Sequence, residues 1–252
     1  MYGSDNPSFA NRNPSPALAT SPSKLAYLRK VYALFTGGIF FAIAGALVAL
    51  YGGGTETLAA RGGGIVEVSP ILAFTMNHWI VAMVVYLGAF FAANFARRIR
   101  GLNLVALFGY TFVTGVFIAP SLFIATLMAS QGGTVTAAPV RDAFVLSGLA
   151  FTGLTAFVMI SKKDFSFLGA TLSMGLWVVL GAMLLSFFFQ SAVFSLAIAS
   201  VGVLLFGGYI LYDTSKILHD GEDDAIGAAL RLFLDVVNLF LMLLRILSSR
   251  RS

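Results

Sequence analysis

Two long stretches of the chain contain no charged side chain. Residues 101–140 and residues 165–212 have no Asp, Glu, Lys or Arg. A membrane-spanning helix needs about 20 consecutive apolar residues, so the second stretch alone has room for two. Hydrophobic residues make up 58% of the whole chain and charged residues only 11%, against about 25% charged in soluble domains. Because long unbroken runs satisfy their backbone groups in lipid as helices, we predict an all-α integral membrane protein.

Seven apolar segments are each long enough to cross a bilayer. They lie at 31–51, 71–95, 103–129, 142–160, 167–189, 191–217 and 225–247. Together they predict one seven-span membrane domain over residues 25–252. Residues 1–24 are rich in Pro, Ser, Asn and Ala and have too few large apolar groups to fold, which predicts a disordered cytoplasmic tail. The glycine-rich stretch 52–64 lacks the Lys-Ser/Thr of a phosphate loop and is predicted to be a flexible connection.

Basic residues indicate the orientation of the chain. They cluster before the first segment and around every second connection, at Lys24, Arg29, Lys30, Arg97, Arg98, Arg100, Lys162, Lys163, Lys216 and Arg231. The alternate connections contain only Arg61 and Arg141. The positive-inside rule therefore predicts a cytoplasmic N-terminus, and the net charge of +5 reflects orientation instead of nucleic-acid binding. A full seventh crossing would place Arg250 and Arg251 outside, so either the rule fails there or the last segment is re-entrant.

Two acidic residues lie within long apolar stretches, Asp213 in FGGYILYDTSKIL and Asp235 in LRLFLDVVNLFLMLL. A carboxylate at the bilayer centre costs about 2.5–3.5 kcal/mol on insertion scales, so such a residue is a functional-site hypothesis by default. Each lies about ten residues from the short loop that joins the last two segments. Both should therefore reach a similar depth in the membrane. We predict that they face each other. The alternative is local pairing, of Asp213 with Lys216 and of Asp235 with Arg231.

The last segment has a polar stripe. At 100° per residue, five side chains of this segment point in nearly one direction. They are Arg231, Asp235, Asn238, Met242 and Arg245. Such a face should contact other helices or water instead of lipid. We therefore predict a seven-helix bundle with the C-terminal helix at its centre.

The remaining polar features favour structural roles. The loop from His219 to Asp224 lacks the ligand spacing of an EF-hand, and we predict an acidic turn whose Asp223 or Asp224 caps the last helix. Calcium binding there, or concentration of cations at a pore mouth, is the alternative. His78 has no second ligand at metal-binding spacing and is predicted to be a hydrogen-bonded interior or interfacial residue. With no catalytic or cofactor motif, we expect neither enzyme activity nor a resident cofactor.

The two aspartate segments also carry a family resemblance. GGYILYDTSKIL and AALRLFLDVVNLFLMLLRIL resemble the C-terminal signature of the transmembrane Bax inhibitor motif family, also called Bax inhibitor-one-like proteins. NLVALFGYTFVTGVFIAPSLF is similar to the third span of that family. The resemblance implies a bacterial member in the inner (cytoplasmic) membrane, with a central seventh helix wrapped by six others.

The resemblance also implies a function, a pH-dependent calcium leak gated by two hydrogen-bonded aspartates. By motif position these are Asp213 and Asp235, which could also ligate Ca²⁺. An arginine late in the second span belongs to the gate of the family, and Arg97 or Arg98 would fill that place as a tether of the closed state. The acidic residue that the family has in its second span has no counterpart here, since segment 71–95 contains no Asp or Glu.

The physics of an aspartate pair fits such a gate. Two carboxylates in contact at low dielectric cannot both ionise cheaply, so they share a proton and titrate as a unit. Loss of the proton leaves like charges that push the helices apart and offers oxygen ligands to a hard cation such as Ca²⁺. We expect a closed state at lower pH and an open state at higher pH, with Ca²⁺ as the permeant ion.

Two other hypotheses remain open on the sequence. One is a regulatory membrane protein that binds and modulates a membrane quality-control protease or other membrane machinery. The other is a proton-coupled transporter whose aspartates carry protons through a cycle. The expected partners are the lipid bilayer, Ca²⁺ and protons. The first of these two hypotheses adds a membrane protein such as a protease, and none of the hypotheses involves a nucleic acid.

Overall fold

The computed structural model describes residues 22–59, 65–99, 101–129, 136–186, 188–189, 191–219 and 224–249. Within these ranges the helices are α1 (Pro22–Tyr51), α2 (Pro70–Asn77), α3 (Trp79–Ala96), α4 (Leu102–Ala129), α5 (Ala138–Ser161), α6 (Gly169–Ser186), α7 (Ala192–His219) and α8 (Ala225–Ser249). The strands are β1 (Glu56–Ala59) and β2 (Ile65–Val68), and a 3₁₀ turn at Ser166–Leu168 precedes α6. Seven of these helices, all but α2, are long and apolar enough to cross a membrane. The prediction of an all-α integral membrane protein is confirmed.

The bundle has two ends, which we name by what lies at them. At the basic end α1 begins, and α3 is joined to α4, α5 to α6, and α7 to α8. At the hairpin end lie β1 and β2, the end of α1, and the connections from α4 to α5 and from α6 to α7. Helix α8 runs unbroken for 25 residues, about 37 Å at 1.5 Å per residue. By length and composition it is able to cross a membrane. Arg250 and Arg251 lie outside the described residues.

Helix α8 is the centre of the bundle. It packs against α1, α4, α5 and α7, whereas α3 packs mainly on α4, and α6 mainly on α7. Phe233 and Leu232 on α8 are completely buried, and most other residues of this helix are buried as well. The central position of the C-terminal helix is therefore confirmed, with four of the six other spans as its principal direct neighbours.

Helices α1 and α4 approach each other closely. A Cβ atom added at Gly45 on α1 would collide with the carbonyl oxygen of Phe112 on α4, and one added at Gly115 would collide with the carbonyl oxygen of Ala42. Small residues are the usual means by which helix backbones come into contact in a membrane. The pair α1–α4 thus forms a rigid wall on one side of α8.

The stretch 52–64, predicted as a flexible connection, contains the first strand of an antiparallel pair instead. Strand β1 pairs antiparallel with β2, with Glu56 opposite Val68. Val68 is buried in a cluster with Leu72 of α2. The alternation Ile-Val-Glu-Val in β2 is rich in β-branched residues and is the signal that the sequence interpretation passed over. The prediction is therefore wrong for 56–59, while 60–64 lie outside the described residues.

The second predicted span is interrupted. Ser69 caps α2 by accepting a hydrogen bond from the Leu72 N–H at 3.1 Å, and Pro70 occupies the first turn, where a missing N–H costs nothing. At His78 the backbone leaves the helical region, with φ −118° and ψ 48°. Residues 71–95 therefore form two helices, and α3 alone makes the crossing. His78 is exposed at this junction, with its ring centroid 5.0 Å from that of Phe74.

The first helix begins earlier than the sequence interpretation placed it. Residues 22–24, assigned to the disordered tail, belong to α1. Proline is favoured in a first helical turn, and the Lys-Leu-Ala that follows Ser23 is made of strong helix formers. The rest of the predicted tail, residues 1–21, lies outside the described residues.

A buried aspartate pair as the candidate functional site

The structure brings the two intramembrane aspartates together. Asp213 on α7 is 3% exposed and Asp235 on α8 is 6% exposed. Their carboxyl groups lie within hydrogen-bonding reach of each other. An ionised carboxylate only accepts hydrogen bonds, so two carboxyls can bond only when one of them holds a proton. Oδ1 of Asp213 and Oδ2 of Asp235 are both buried without a hydrogen-bond partner, so a proton on either residue is what a bond between the two helices would need.

Arg231 joins this pair from α8. Its Nε atom lies 3.2 Å from Oδ1 of Asp213, and its side chain is 35% exposed. The sequence interpretation placed Arg231 in the polar stripe and gave Asp235 as its alternative local partner, but the ion pair of Arg231 crosses to Asp213 on α7. With one proton on the pair, two carboxyls and one guanidinium sum to zero formal charge. A buried charge is tolerated when it is compensated in this way.

Three hydroxyl groups converge one residue from Asp213. The Tyr32 hydroxyl of α1 interacts with those of Thr155 on α5 and Thr214 on α7. Thr155 is 8% exposed and Thr214 is 1% exposed, yet none of the three oxygens has a hydrogen bond of good geometry. Buried hydroxyls of this kind are typical positions for internal water. The sequence interpretation missed this cluster, because single hydroxyls on three separate spans form no local pattern.

The two candidate tether arginines lie away from the pair. Arg97 Nη1 is 3.4 Å from Oδ2 of Asp224, and Arg98 is exposed. Asp224 caps α8, since its Oδ1 accepts a hydrogen bond of 2.8 Å from the Gly227 N–H. This confirms the predicted cap and settles it on Asp224. Asp235 lies eleven residues further along the chain, about 16 Å along the helix, so Arg97 is paired with Asp224 at the start of α8 and not with the aspartate pair. Its role in gating stays a prediction.

The polar stripe of α8 lies along α7. At the basic end Arg231 and Asp235 contact Asp213. Further along α8, Met242 lies against Gly202 of α7, where an added Cβ would approach the sulfur to 2.7 Å. Near the hairpin end the Arg245 Nε donates a hydrogen bond to Oγ of Ser195 on α7. Asn238, between these contacts, is half-buried. The stripe therefore faces a neighbouring helix, as its polarity indicated.

A second polar network lies at the basic end, where the connection between α5 and α6 meets α7. Ser215 Oγ accepts a 2.8 Å hydrogen bond from the Phe165 N–H and donates one of 3.3 Å to Asp164 Oδ1. Hydrogen bonds from the backbone and side chain of Ser166, with smaller contributions from Ser215 and His219, hold the pKa of Asp164 below its usual range. Ser215 is fully buried. The sequence interpretation did not anticipate this network.

Among the residues that the structure describes, no group of three or more His, Asp or Glu is arranged to hold a metal ion. The aspartate pair offers two carboxyl groups, whereas Ca²⁺ takes six to eight oxygen ligands. The nearby hydroxyls of Tyr32, Thr155 and Thr214 are the further oxygen atoms within the bundle. The carboxyl oxygens of the pair are fewer than the full ligand shell of a Ca²⁺ ion.

Comparison with known proteins places this architecture in a family. Residues 24–252 match the family described as "Inhibitor of apoptosis-promoting Bax1". An uncharacterised protein of Campylobacter jejuni is 38% identical over 226 residues, which cover 90% of this chain and 89% of that protein. The mouse protein named "Protein lifeguard 4" is 33% identical, over 92% of this chain and 89% of its own length. The "Golgi anti-apoptotic protein" of vaccinia virus (strain Lister) is 32% identical, over 94% and 91%. The chain therefore belongs to the Bax inhibitor-one-like family of multi-pass membrane proteins.

Proposed function

We propose that the protein is a pH-sensitive calcium (cation) leak channel of the bacterial inner membrane, gated by Asp213 and Asp235. The observation that carries the proposal is the contact between these two buried carboxyl groups on neighbouring helices. In the closed state one proton is shared by the pair and ties α7 to α8. Because α8 is the central helix, a change in its contact with α7 affects the whole bundle.

Loss of the shared proton changes the charge of the site. The pair and Arg231 are formally neutral while one proton is bound, and they carry one net negative charge without it. Two like charges about 4 Å apart repel by about 4 kcal/mol at an effective dielectric constant of 20. This repulsion opposes the packing of α7 on α8 and makes the site attractive to a cation. Opening is therefore expected as the pH rises.

A permeant ion must bind weakly enough to leave. Two carboxylates supply only part of the oxygen ligands that Ca²⁺ takes. The hydroxyls of Tyr32, Thr155 and Thr214 would add oxygen ligands without charge. An ion at this position would keep several of its waters. Arg231, which is partly exposed, competes with the ion for Asp213 and would have to move aside. Both features favour passage over permanent binding.

The orientation of the channel follows from the charge of its loops. We assign the basic end, and with it the N-terminus, to the cytoplasm, because the basic residues are concentrated there. Within this scheme the ion pair of Arg97 with Asp224 would act on the gate indirectly, by fixing the start of α8 against the end of α3. Arg97 is thus the better candidate of the two arginines for the tether.

Calcium flux in liposomes tests the proposal. The full chain is purified, reconstituted with a calcium-sensitive dye inside, and exposed to external Ca²⁺ at pH values between 5.5 and 8. We expect protein-dependent flux that rises with pH and needs no proton gradient. Absence of flux at every pH from correctly folded protein would overturn the channel and favour regulation of a membrane protease. Flux that collapses when the proton gradient is dissipated would instead indicate a proton-coupled transporter.

A further inference from the structure

His219 ends α7 at the basic end and contacts two backbone carbonyl groups. Its Nδ1 atom lies 2.9 Å from the carbonyl oxygen of Ser215, one turn earlier on the same helix. Its Nε2 atom lies 3.2 Å from the carbonyl oxygen of Lys162, in the connection between α5 and α6. The ring therefore bridges α7 and this connection, which we call the α5–α6 loop (residues 162–165).

The chemistry of the two contacts selects one protonation state. A carbonyl oxygen can only accept a hydrogen bond, and a neutral imidazole has a single N–H to donate. Only the imidazolium form, with an N–H on each nitrogen, can donate to both Ser215 and Lys162. The Ser215 Oγ atom, 3.4 Å from Nδ1, is nearer to Asp164 at 3.3 Å, and its one proton goes to that carboxylate.

Several charged groups lie around His219. Asp164, in the α5–α6 loop, interacts electrostatically with it. Its pKa lies below the usual range of an aspartate, so this carboxylate stays ionised between pH 5 and 8. Lys216, on the same helix as His219, lies with its Nζ 5.5 Å from the ring centroid of Tyr212. Asp224, at the start of α8, is engaged by Arg97. Residues 220–223 lie outside the described residues.

We propose that His219 is a second proton-binding site of this protein, which fastens the α5–α6 loop to α7 when protonated and releases it when neutral. Histidine is the side chain that ordinarily changes charge between pH 5 and 8. A neutral ring keeps one N–H, and we place it on Nδ1, whose contact with the Ser215 carbonyl is the shorter one, 2.9 Å against 3.2 Å from Nε2 to the Lys162 carbonyl. The loop then loses its bond to Nε2 and keeps the contacts through Ser215. This inference concerns the loop and not the ion path, so it holds or fails independently of the channel.

Ser215 links this site to the aspartate pair. Its hydroxyl bonds to the Phe165 N–H and to Asp164, and its carbonyl faces His219. It lies two residues from Asp213 and is fully buried. The histidine site and the aspartate pair are therefore neighbours on α7, and each has its own titrating group.

Electron paramagnetic resonance of a spin label on the loop tests the proposal. The chain has no cysteine, and Lys163 is exposed, so a nitroxide attached to a Lys163→Cys variant reports loop motion in liposomes. We expect an immobilised spectrum at pH 5.5, a mobile one at pH 8, and a one-proton transition between them. In the His219→Gln background the label should be mobile at both pH values. The His78→Gln variant, which removes the other histidine at the opposite end, should keep the transition.

A second measurement completes the test. In ¹⁵N-histidine spectra, assigned with His78→Gln, both ring nitrogens of His219 should carry protons at pH 5.5 and one at pH 8. A label spectrum that does not change with pH, an unchanged transition in His219→Gln, or a neutral His219 at pH 5.5 would overturn the proposal. Asp213→Asn should keep the loop transition, which separates this result from any failure of the calcium flux.

Discussion

Arg231 on α8 reaches across to Asp213 on α7, with its Nε atom 3.2 Å from Oδ1 of that residue, although Asp235 stands one turn away on its own helix. The site therefore contains three ionisable groups, the carboxyls of Asp213 and Asp235 and the guanidinium of Arg231. In the proposed gate the two carboxyls share one proton, and its removal would convert a neutral buried group into one with net negative charge. Arg231 lowers the free-energy cost of removing the proton, because a nearby cation stabilises the ionised carboxylates.

Replacement of Arg231 by Gln should shift calcium flux to higher pH. Without the guanidinium, the pair loses the charge that favours ionisation and keeps its proton longer. We expect the midpoint of the flux–pH curve to rise by at least about one unit, equivalent to about 1.4 kcal/mol. Flux assays in liposomes measure the midpoint. Arg231→Lys keeps the charge and is the control, since its midpoint should move less. A midpoint that falls, or stays fixed, in Arg231→Gln would show that the cation does not act on the pair.

Replacement of either aspartate by Asn should remove most of the pH dependence of flux. Asn keeps the shape and some hydrogen bonding of the carboxyl but cannot take part in like-charge repulsion. Asp213→Asn and Asp235→Asn should both fold and give flat flux–pH curves.

The double variant of Asp213 and Asp235 should resemble the single ones, because two residues that act as a unit have non-additive effects. An unchanged pH profile in both single variants would assign the pair a structural role. Asn238→Ala, on the same stripe but outside the pair, is the matched control and should keep the pH profile.

The ion pair between Arg97 and Asp224 should contribute a small, specific stabilisation. Both side chains are partly exposed, and such pairs contribute about 0.2–1 kcal/mol. Arg97→Gln and Asp224→Asn should lower thermal stability in detergent by the same small amount, since Asn remains a good helix cap. The double variant should lose no more than either single one. Arg98→Gln should have no effect, and an equal loss at Arg98 would return the basic cluster to a purely topological role.

The aspartate pair could be predicted from the sequence because charge is so costly in an apolar span. Asp213 and Asp235 are each an isolated acid in a long apolar stretch, and the turn between their helices is short enough to bring them to one depth. The contrast between polar side chains and an otherwise apolar segment also identified the polar face of α8. Such arguments need only composition and helix geometry, so they do not depend on how the other helices are arranged.

The partners of these residues could not be predicted in the same way. Arg231 pairs with Asp213 because of how α7 is rotated about its axis relative to α8. The hydroxyls of Tyr32, Thr155 and Thr214 come together only when three helices are packed against one another. The break at His78 is a local backbone event inside an otherwise continuous apolar run. A hydropathy profile does not detect this break, because a broken helix and an unbroken helix can have the same composition.

Labelling of introduced cysteines should establish the orientation of the bundle. Thr55→Cys lies at the hairpin end and Lys163→Cys at the basic end, and both positions are exposed. In right-side-out vesicles a membrane-impermeant maleimide should label Thr55→Cys, and it should label Lys163→Cys only after permeabilisation. The cysteine-free parent chain is the control for background. Labelling of Lys163→Cys in intact vesicles would reverse the assigned topology.

The close contact of α1 with α4 should make one glycine of α4 irreplaceable and another dispensable. A methyl group at Gly115 meets the Ala42 carbonyl, a backbone atom that cannot rotate away, so the helices must separate. We expect Gly115→Ala to lower the free energy of unfolding by about 1–3 kcal/mol, the usual cost of overpacking. At Gly109, on the same helix, nothing lies within 4 Å of an added Cβ. Gly109→Ala should be neutral or stabilising by up to about 1 kcal/mol, because alanine is the better helix former. Thermal unfolding in detergent compares the two, and equal stability of both variants would mean that α1 and α4 are not in backbone contact.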